Sequence, residues 1–299
     1  MKAKVTLTQN LTYMALMAAI NVVFSLIAMF FPLSAFFLMI ALPLTSVVVT
    51  LFCQNRYFVI YAVATVLLSL IVTMQNMEMT IFYVIPSLAS GFLFGMMIKA
   101  KINPAYILLS AAMLQVAISY ITIPIIEAIY GPNMIDVFLA LLKLDQSPNM
   151  AHVVLPTIFT FSLAQTVFSY MIIQTEVQKF QYDVVAHFDQ QFPLWSILAF
   201  LSSALIAPWL LGIALLLWAV GIYFSLFQLI ESWFKQKKLT IVLLIIGAIL
   251  TMILYPIIYP SDYKSYAFYA LGTVFYLVSV SGLFGLYLPK ATNSHTIEK

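Results

Sequence analysis

Apolar runs of about membrane-spanning length alternate along the chain with short polar or proline-marked breaks, at residues 11–31, 33–52, 57–74, 79–98, 104–130 and 152–174. A helix rises 1.5 Å per residue, so about 20 mainly apolar residues cross roughly 30 Å of hydrocarbon. Each run therefore predicts one transmembrane helix. From Leu194 to Ile230 there is no charged residue at all, and as one straight helix that stretch would be about 55 Å long, too long for an ordinary span. Ala207-Pro208 lies inside it. Proline removes a backbone donor and disfavours helix at the residue before it, which predicts a short seventh helix and a longer eighth. Runs at 239–259 and 264–288 complete an all-α, polytopic membrane bundle of about ten transmembrane helices.

Lysine and arginine in alternate loops test that split, because cytoplasmic loops carry the excess of positive charge. With ten spans and a cytoplasmic N-terminus, Lys2, Lys4, Arg56, Lys99, Lys101, Lys179, Lys235, Lys237, Lys238, Lys290 and Lys299 fall inside, and only Lys143 and Lys264 fall outside. A single span over 194–230 would put Lys235, Lys237 and Lys238 outside and reverse the bias in the most basic loop. Ten spans therefore beat nine, and both termini are expected in the cytoplasm.

Composition agrees. The chain is 64% hydrophobic and 8% charged, with a mean hydropathy of +1.06, whereas soluble domains carry about a quarter charged residues. The net charge of +3 is dispersed over short loops rather than gathered in a patch, so it is topological and nucleic acid is not an expected partner. Lys2 and Lys4 before the first run raise the question of a signal peptide. That run is longer than a usual signal-peptide core and no small-x-small cleavage site precedes Pro32, which favours a first transmembrane helix. The chain divides into a bundle at 1–175, a cytoplasmic connecting segment at 176–193 and a four-helix segment at 194–299. In the connecting segment Val177, Phe180, Val184 and Phe188 recur at helical spacing, so an interfacial helix and a plain connector both remain open. The connection at Gln75–Glu78 and the long loop Gly131–Ala151, with Asp136, Lys143 and Asp145, are expected outside.

Catalytic signatures are missing: there is no P-loop, no GxSxG and no GxGxxG. His152, His187 and His295 are scattered, and Cys53 stands alone, so neither a metal site nor a disulfide is expected, and no cofactor. Ionisable groups in hydrocarbon mark ion or proton pathways, and the one candidate, Glu127, sits near the outer end of the fifth helix. It is either an interfacial residue reaching water or a ligand contact.

Neutral polar residues say more. Asn21 and Ser25, then Thr65, Ser69 and Thr73, then Gln115, Ser119 and Thr122, then Ser162, Gln165 and Ser169 fall at spacings that place each set on one helix face. Interhelical hydrogen bonding is the plain explanation and a polar cavity for a small neutral ligand the sharper one. Ser87, Gly91 and Gly95 predict close packing of the fourth helix on a neighbour. Pro43, Pro86, Pro124, Pro156 and Pro256 predict kinks.

The segment TQNLTYMALMAAINVVFS from Thr8 to Ser25, with its Ala15/Ala19 pair, and IPSLASGFLFGMMIKAKINP from Ile85 to Pro104 resemble the YybS-like family of uncharacterised bacterial membrane proteins. The polar segment and the proline at Pro193, before more helices, fit the same pattern. The first six helices are in turn distantly similar to the substrate-binding S components of energy-coupling factor transporters. This resemblance implies a six-helix ligand-binding bundle near the outer face plus four accessory helices, in a bacterial cytoplasmic membrane. It also implies docking to another membrane subunit through Ala15 and Ala19. The four extra helices depart from the S-component pattern. On this reading the protein is not an enzyme, and it binds or helps transport a small molecule. The candidate ligand contacts are Asn76, Glu78, Tyr120, Glu127, Tyr130, Gln115 and Gln165. A structural or assembly role in a membrane or envelope complex, without transport, is the alternative.

Overall fold

The structure is a computed structural model, and it describes residues 6–77, 80–131, 133–141, 148–179, 191–235, 237–258, 269–270 and 272–287. Residues 32–39, 82, 130, 141, 148–150, 231–235, 237–239 and 284–287 among these are described by backbone alone. All regular structure among the described residues is helical: α1 (Leu7–Phe30), α2 (Pro32–Phe52), α3 (Phe58–Val72), α4 (Ile85–Lys99), α5 (Pro104–Tyr130), α6 (Met134–Leu141), α7 (Pro148–Gln178), α8 (Phe192–Ile206), α9 (Leu211–Lys235), α10 (Lys237–Ile258) and α11 (Thr273–Tyr287). Among the described residues, six helices are long and apolar enough to cross a membrane, over Leu7–Phe30, Asn55–Val72, Pro104–Ile129, Ala151–Gln178, Leu211–Ile230 and Thr240–Ile258. Shorter apolar helices cover Ile40–Phe52, Ile85–Lys99, Phe192–Ile206 and Thr273–Leu283. The protein is thus a helical membrane bundle.

Several boundaries have clear local causes. The uncharged stretch breaks at Ala207–Pro208–Trp209, between α8 and α9, where the proline cannot continue the i→i−4 ladder. The run predicted over 79–98 is not one regular helix. A wider π turn at Thr80–Val84 leads into α4, which accommodates the Pro86 ring and the bond its missing N–H cannot make. Between α4 and α5, Lys101 adopts a left-handed φ of 53°. The Lys101 N–H donates to Ile98 O and the Ile102 N–H to Met97 O, the paired bonds that close a helix C-terminus. Asn103 then caps α5 by accepting from the Ala105 N–H at 3.0 Å, with Pro104 in the first turn.

The region 131–151 was expected as an irregular loop and is partly helical. It contains α6, and α7 begins at Pro148, ahead of the predicted 152. Asn133 supplies the start of α6, its side-chain oxygen accepting from the N–H groups of Ile135 and Asp136. The connecting segment lies mainly outside the described residues, with Phe180, Val184 and Phe188; Val177 belongs to α7 and is buried there.

The chain forms two compact units, residues 1–137 with 157–187, and residues 138–156 with 188–299. Helix α7 contributes to both, changing membership at Pro156–Thr157. In the first unit α2 packs against α1 and α4, α1 against α3, and α4 against α5. Its core joins Val47 and Leu51 of α2, Phe94 and Ile98 of α4, Ile107 and Ala111 of α5, and Tyr170, Ile173 and Val177 of α7. The α2–α4 seam is the tightest: a Cβ at Gly91 would collide with Pro43 O, and one at Gly95 would lie 2.5 Å from Thr50 Cβ. The small residues of α4 therefore bring two backbones together, as their spacing predicts.

In the second unit α8 and α9 form an antiparallel hairpin on which α11 packs, and α10 packs on α11. Three serines, one from each of α8, α9 and α11, meet in its interior: Ser196, Ser225 and Ser279 lie 2.8 Å apart pairwise and are fully buried. Ser196 and Ser225 also reach Gly221 O, at 2.8 and 2.7 Å. Nearer the α8–α9 turn, Ser203 donates to Ala214 O.

Candidate functional site

The polar stripes read from the sequence do point inward. Helix α1 buries Asn10, Met14, Ala18, Asn21, Ser25 and Ala28, one face at three- and four-residue steps. Because α2 and α3 flank that face, the Asn21 amide can bridge both. It donates to the Tyr61 hydroxyl of α3 at 3.0 Å and accepts from the Thr45 hydroxyl of α2 at 2.8 Å. Tyr61 and Thr45 are themselves 3.2 Å apart, closing the triangle. Asn10 ties the far end, accepting from the Gln54 N–H at 2.8 Å after α2 ends. With the amide oxygen and nitrogen of Asn21 and both hydroxyls bonded within it, this network is a structural junction.

A second group of buried polar atoms in the same unit is unsatisfied. Both amide atoms of Gln115, on α5, have no hydrogen-bond partner although the residue is 3% exposed. The hydroxyls of Ser46 on α2, Ser69 on α3, Ser87 on α4, and Ser169 and Tyr170 on α7 are also buried without partners. An unsatisfied buried polar group costs about 1–3 kcal/mol, and native proteins contain few. The second unit behaves differently: its interior serines are paired, and among the described residues only the Trp218 indole N–H is orphaned there.

Gln115 lies one turn beyond Ala111, which belongs with Phe94 and Tyr170 to one packed cluster. Ser69 lies near the end of α3 and Ser87 near the start of α4, the helix ends joined through the 75–78 connection. There the hydroxyls of Thr73 and Thr80 meet at 2.7 Å, both fully buried. Ser69, Ser87, Gln115 and Ser169 came from a stripe or a small-residue motif visible in the sequence; Ser46 and Tyr170 are marked by no periodic polar pattern.

The remaining candidates are dispersed. Tyr120 is 59% exposed on the outward face of α5, beside Ile121, so it does not join Gln115. Glu127 is half-buried and engaged in its own turn: its carboxylate accepts from the Met134 N–H at 2.8 Å, and its carbonyl accepts from the N–H of Gly131, which has a φ of 86°. Gln165 and Asn76 are half-buried. Glu78 and the Tyr130 side chain lie outside the described residues. Ala15 and Ala19 are exposed, on the face of α1 opposite Asn21. Among the described residues no three His, Cys, Asp or Glu side chains are grouped so as to hold a metal ion.

Compared with known proteins, the chain matches no family model, no curated protein and no solved structure.

Proposed function

We propose that the first unit receives a small molecule among its helices, binding it or helping to move it across the membrane without catalysis of its own. The observation that supports this reading is the contrast between the units. Side chains of Ser69, Ser87, Gln115, Ser169 and Tyr170, from four helices of the first unit, are buried with unmet hydrogen-bonding capacity, while the second unit meets its serine hydroxyls internally. Sites kept for a ligand are where a protein tolerates such a cost. The second unit is on this reading an accessory scaffold.

The arrangement we favour has ten spans, with the four shorter apolar helices also crossing and both termini on the cytoplasmic side. The lysine distribution supports it. Residues 75–77 then lie on the outer side, as do the ends of α3 and α4 that carry Ser69 and Ser87, which makes the outer side the access route. The exposed Ala15/Ala19 face of α1 remains open to a partner membrane subunit, in keeping with the resemblance to S components and YybS-like proteins.

Native mass spectrometry of the protein extracted from its own membrane tests the binding reading. A non-covalent small-molecule adduct, released on collisional activation, is expected. Ligand-free protein only, under conditions that preserve bound lipid, counts against it and favours a purely structural role. For orientation, a cysteine introduced at Trp209 in a Cys53→Ser background should react with a membrane-impermeant maleimide from outside, and one at Lys237 only after permeabilisation. The reverse pattern would overturn the topology.

A further inference from the structure

Resting on the binding reading above, we infer that Gln115 is the recognition group for an uncharged ligand that carries a hydrogen-bond donor beside an acceptor, as in a carboxamide, lactam or ureide. The argument begins with what the glutamine offers. Its amide has an acceptor oxygen and a two-proton donor nitrogen on one planar group, and neither atom finds a partner although the residue is 3% exposed. A lone donor could be met by a single carbonyl, and a lone acceptor by a single hydroxyl. Both together are met in one step by a group of the same kind, whose N–H and C=O pair with the glutamine in two parallel bonds.

Charge sets the second limit. The buried polar residues of the first unit are asparagine, serine, threonine and glutamine; among the described residues no Asp, Glu, Lys, Arg or His is buried. A charged ligand placed beside Gln115 would lose its hydration without a counter-ion, a cost of several kcal/mol per ion. A neutral amide avoids it. The orphaned Ser169 and Tyr170 hydroxyls of α7, whose Tyr170 shares a cluster with Ala111 one turn from Gln115, are adaptable partners that can donate or accept. They extend recognition beyond the amide and suit a ligand with a further polar atom.

The contrast with Asn21 sharpens the assignment. Both are buried amides on the inner faces of helices in the same unit, but Asn21 has its donor and acceptor met by Tyr61 and Thr45. Helix packing can satisfy an interior amide in this bundle. Around Gln115 it does not.

The test uses full-length protein in nanodiscs with three probes of one shape: benzamide, benzoate and benzamidine. Saturation-transfer NMR is recorded on the wild type and on Gln115→Leu, which keeps the volume and removes both polar atoms; Gln115→Met serves if the leucine variant does not fold. Benzamide should bind the wild type and at least tenfold more weakly after substitution, with no signal from benzoate or benzamidinium. Thermal melting of the ligand-free variant should be no lower than wild type, since an orphaned amide has been removed. Benzamide binding equally to both proteins overturns the role of Gln115 and leaves the binding reading intact. Binding of a charged probe in place of benzamide overturns the neutral class and again leaves binding intact. A ligand-free variant that melts clearly below wild type overturns the inference, because the amide is then held by the resting structure. None of the three probes binding overturns the inference, while a small-molecule adduct in native mass spectrometry would still uphold the reading beneath it.

Discussion

The α2–α4 seam allows a prediction whose cause can be separated from general damage. Gly95→Ala adds one methyl group, whose carbon would sit 2.5 Å from Thr50 Cβ, 2.8 Å from Thr50 Cγ2 and 3.3 Å from Thr50 Oγ1. Carbon atoms pack best at about 3.5–4.0 Å, so the helices must part by about 1 Å or distort. Overpacking of this kind costs about 1–3 kcal/mol. In a membrane the loss is felt directly, because van der Waals contact, rather than exclusion of water, drives helix association. All three nearest atoms belong to the Thr50 side chain, so Thr50→Gly removes the obstruction. That change has its own cost of about 0.3 kcal/mol in helix propensity, since threonine is already a poor helix former, along with the Thr50 bond to Ser46 O at 2.8 Å. A double-mutant cycle by denaturant unfolding of purified protein in mixed micelles separates these terms. The double mutant should be more stable than the sum of the singles by about 1 kcal/mol or more, well beyond the roughly 0.5 kcal/mol within which independent sites add. Gly91→Ala is the control. Its nearest obstruction is the backbone oxygen of Pro43, so Thr50→Gly should give it no relief. Additivity for Gly95 and Thr50, or equal rescue of Gly91→Ala, would refute the close-packed seam.

Three other outcomes follow from the hydrogen-bond geometry. Asn21→Leu should destabilise the first unit by about 1–3 kcal/mol, the loss of two buried hydrogen bonds at about 0.5–1.5 kcal/mol each, since Tyr61 and Thr45 lose Asn21 but keep each other; an unfolding midpoint equal to wild type would show that the junction carries no weight. Ser225→Ala should cost about 0.6 kcal/mol and no more than about 1.7 kcal/mol, the average and the maximum for interhelical bonds in membranes, since it removes one corner of the triangle with Ser196 and Ser279, and a variant more stable than wild type would contradict this. Glu127→Ala should speed hydrogen exchange at the Met134 amide several-fold while Glu127→Gln, which keeps an acceptor, changes it less; identical exchange in all three proteins would sink the capping role.

Much of the architecture was legible from periodicity and charge. The Ala207-Pro208 break was read from one proline inside an overlong run, and α8 and α9 meet there. The inward stripes on α1 and α3 follow from spacing, because polar groups in a membrane bundle turn from lipid toward one another. Less legible were features that depend on partners far away in the chain. Glu127, the one ionisable candidate within the apolar runs, left two readings open, an interfacial residue reaching water or a ligand contact. Its use in the following turn depends on the path of residues 131–134, which hydropathy does not report. The serine triangle joins residues 83 positions apart, and single serines in apolar helices carry no visible mark of such a meeting.

The sequence by itself determined that this is a helical membrane protein, roughly where its spans begin and end, and which helix faces carry polar groups, because the bilayer acts on local length, hydropathy and periodicity. Only the tertiary structure decided which of those groups are used up. Asn21 and Gln115 are similar amides on similar faces; one sits where Tyr61 and Thr45 converge and the other where nothing does. That difference arises from how the helices are rotated and spaced against one another, a property of long-range packing that no local pattern encodes.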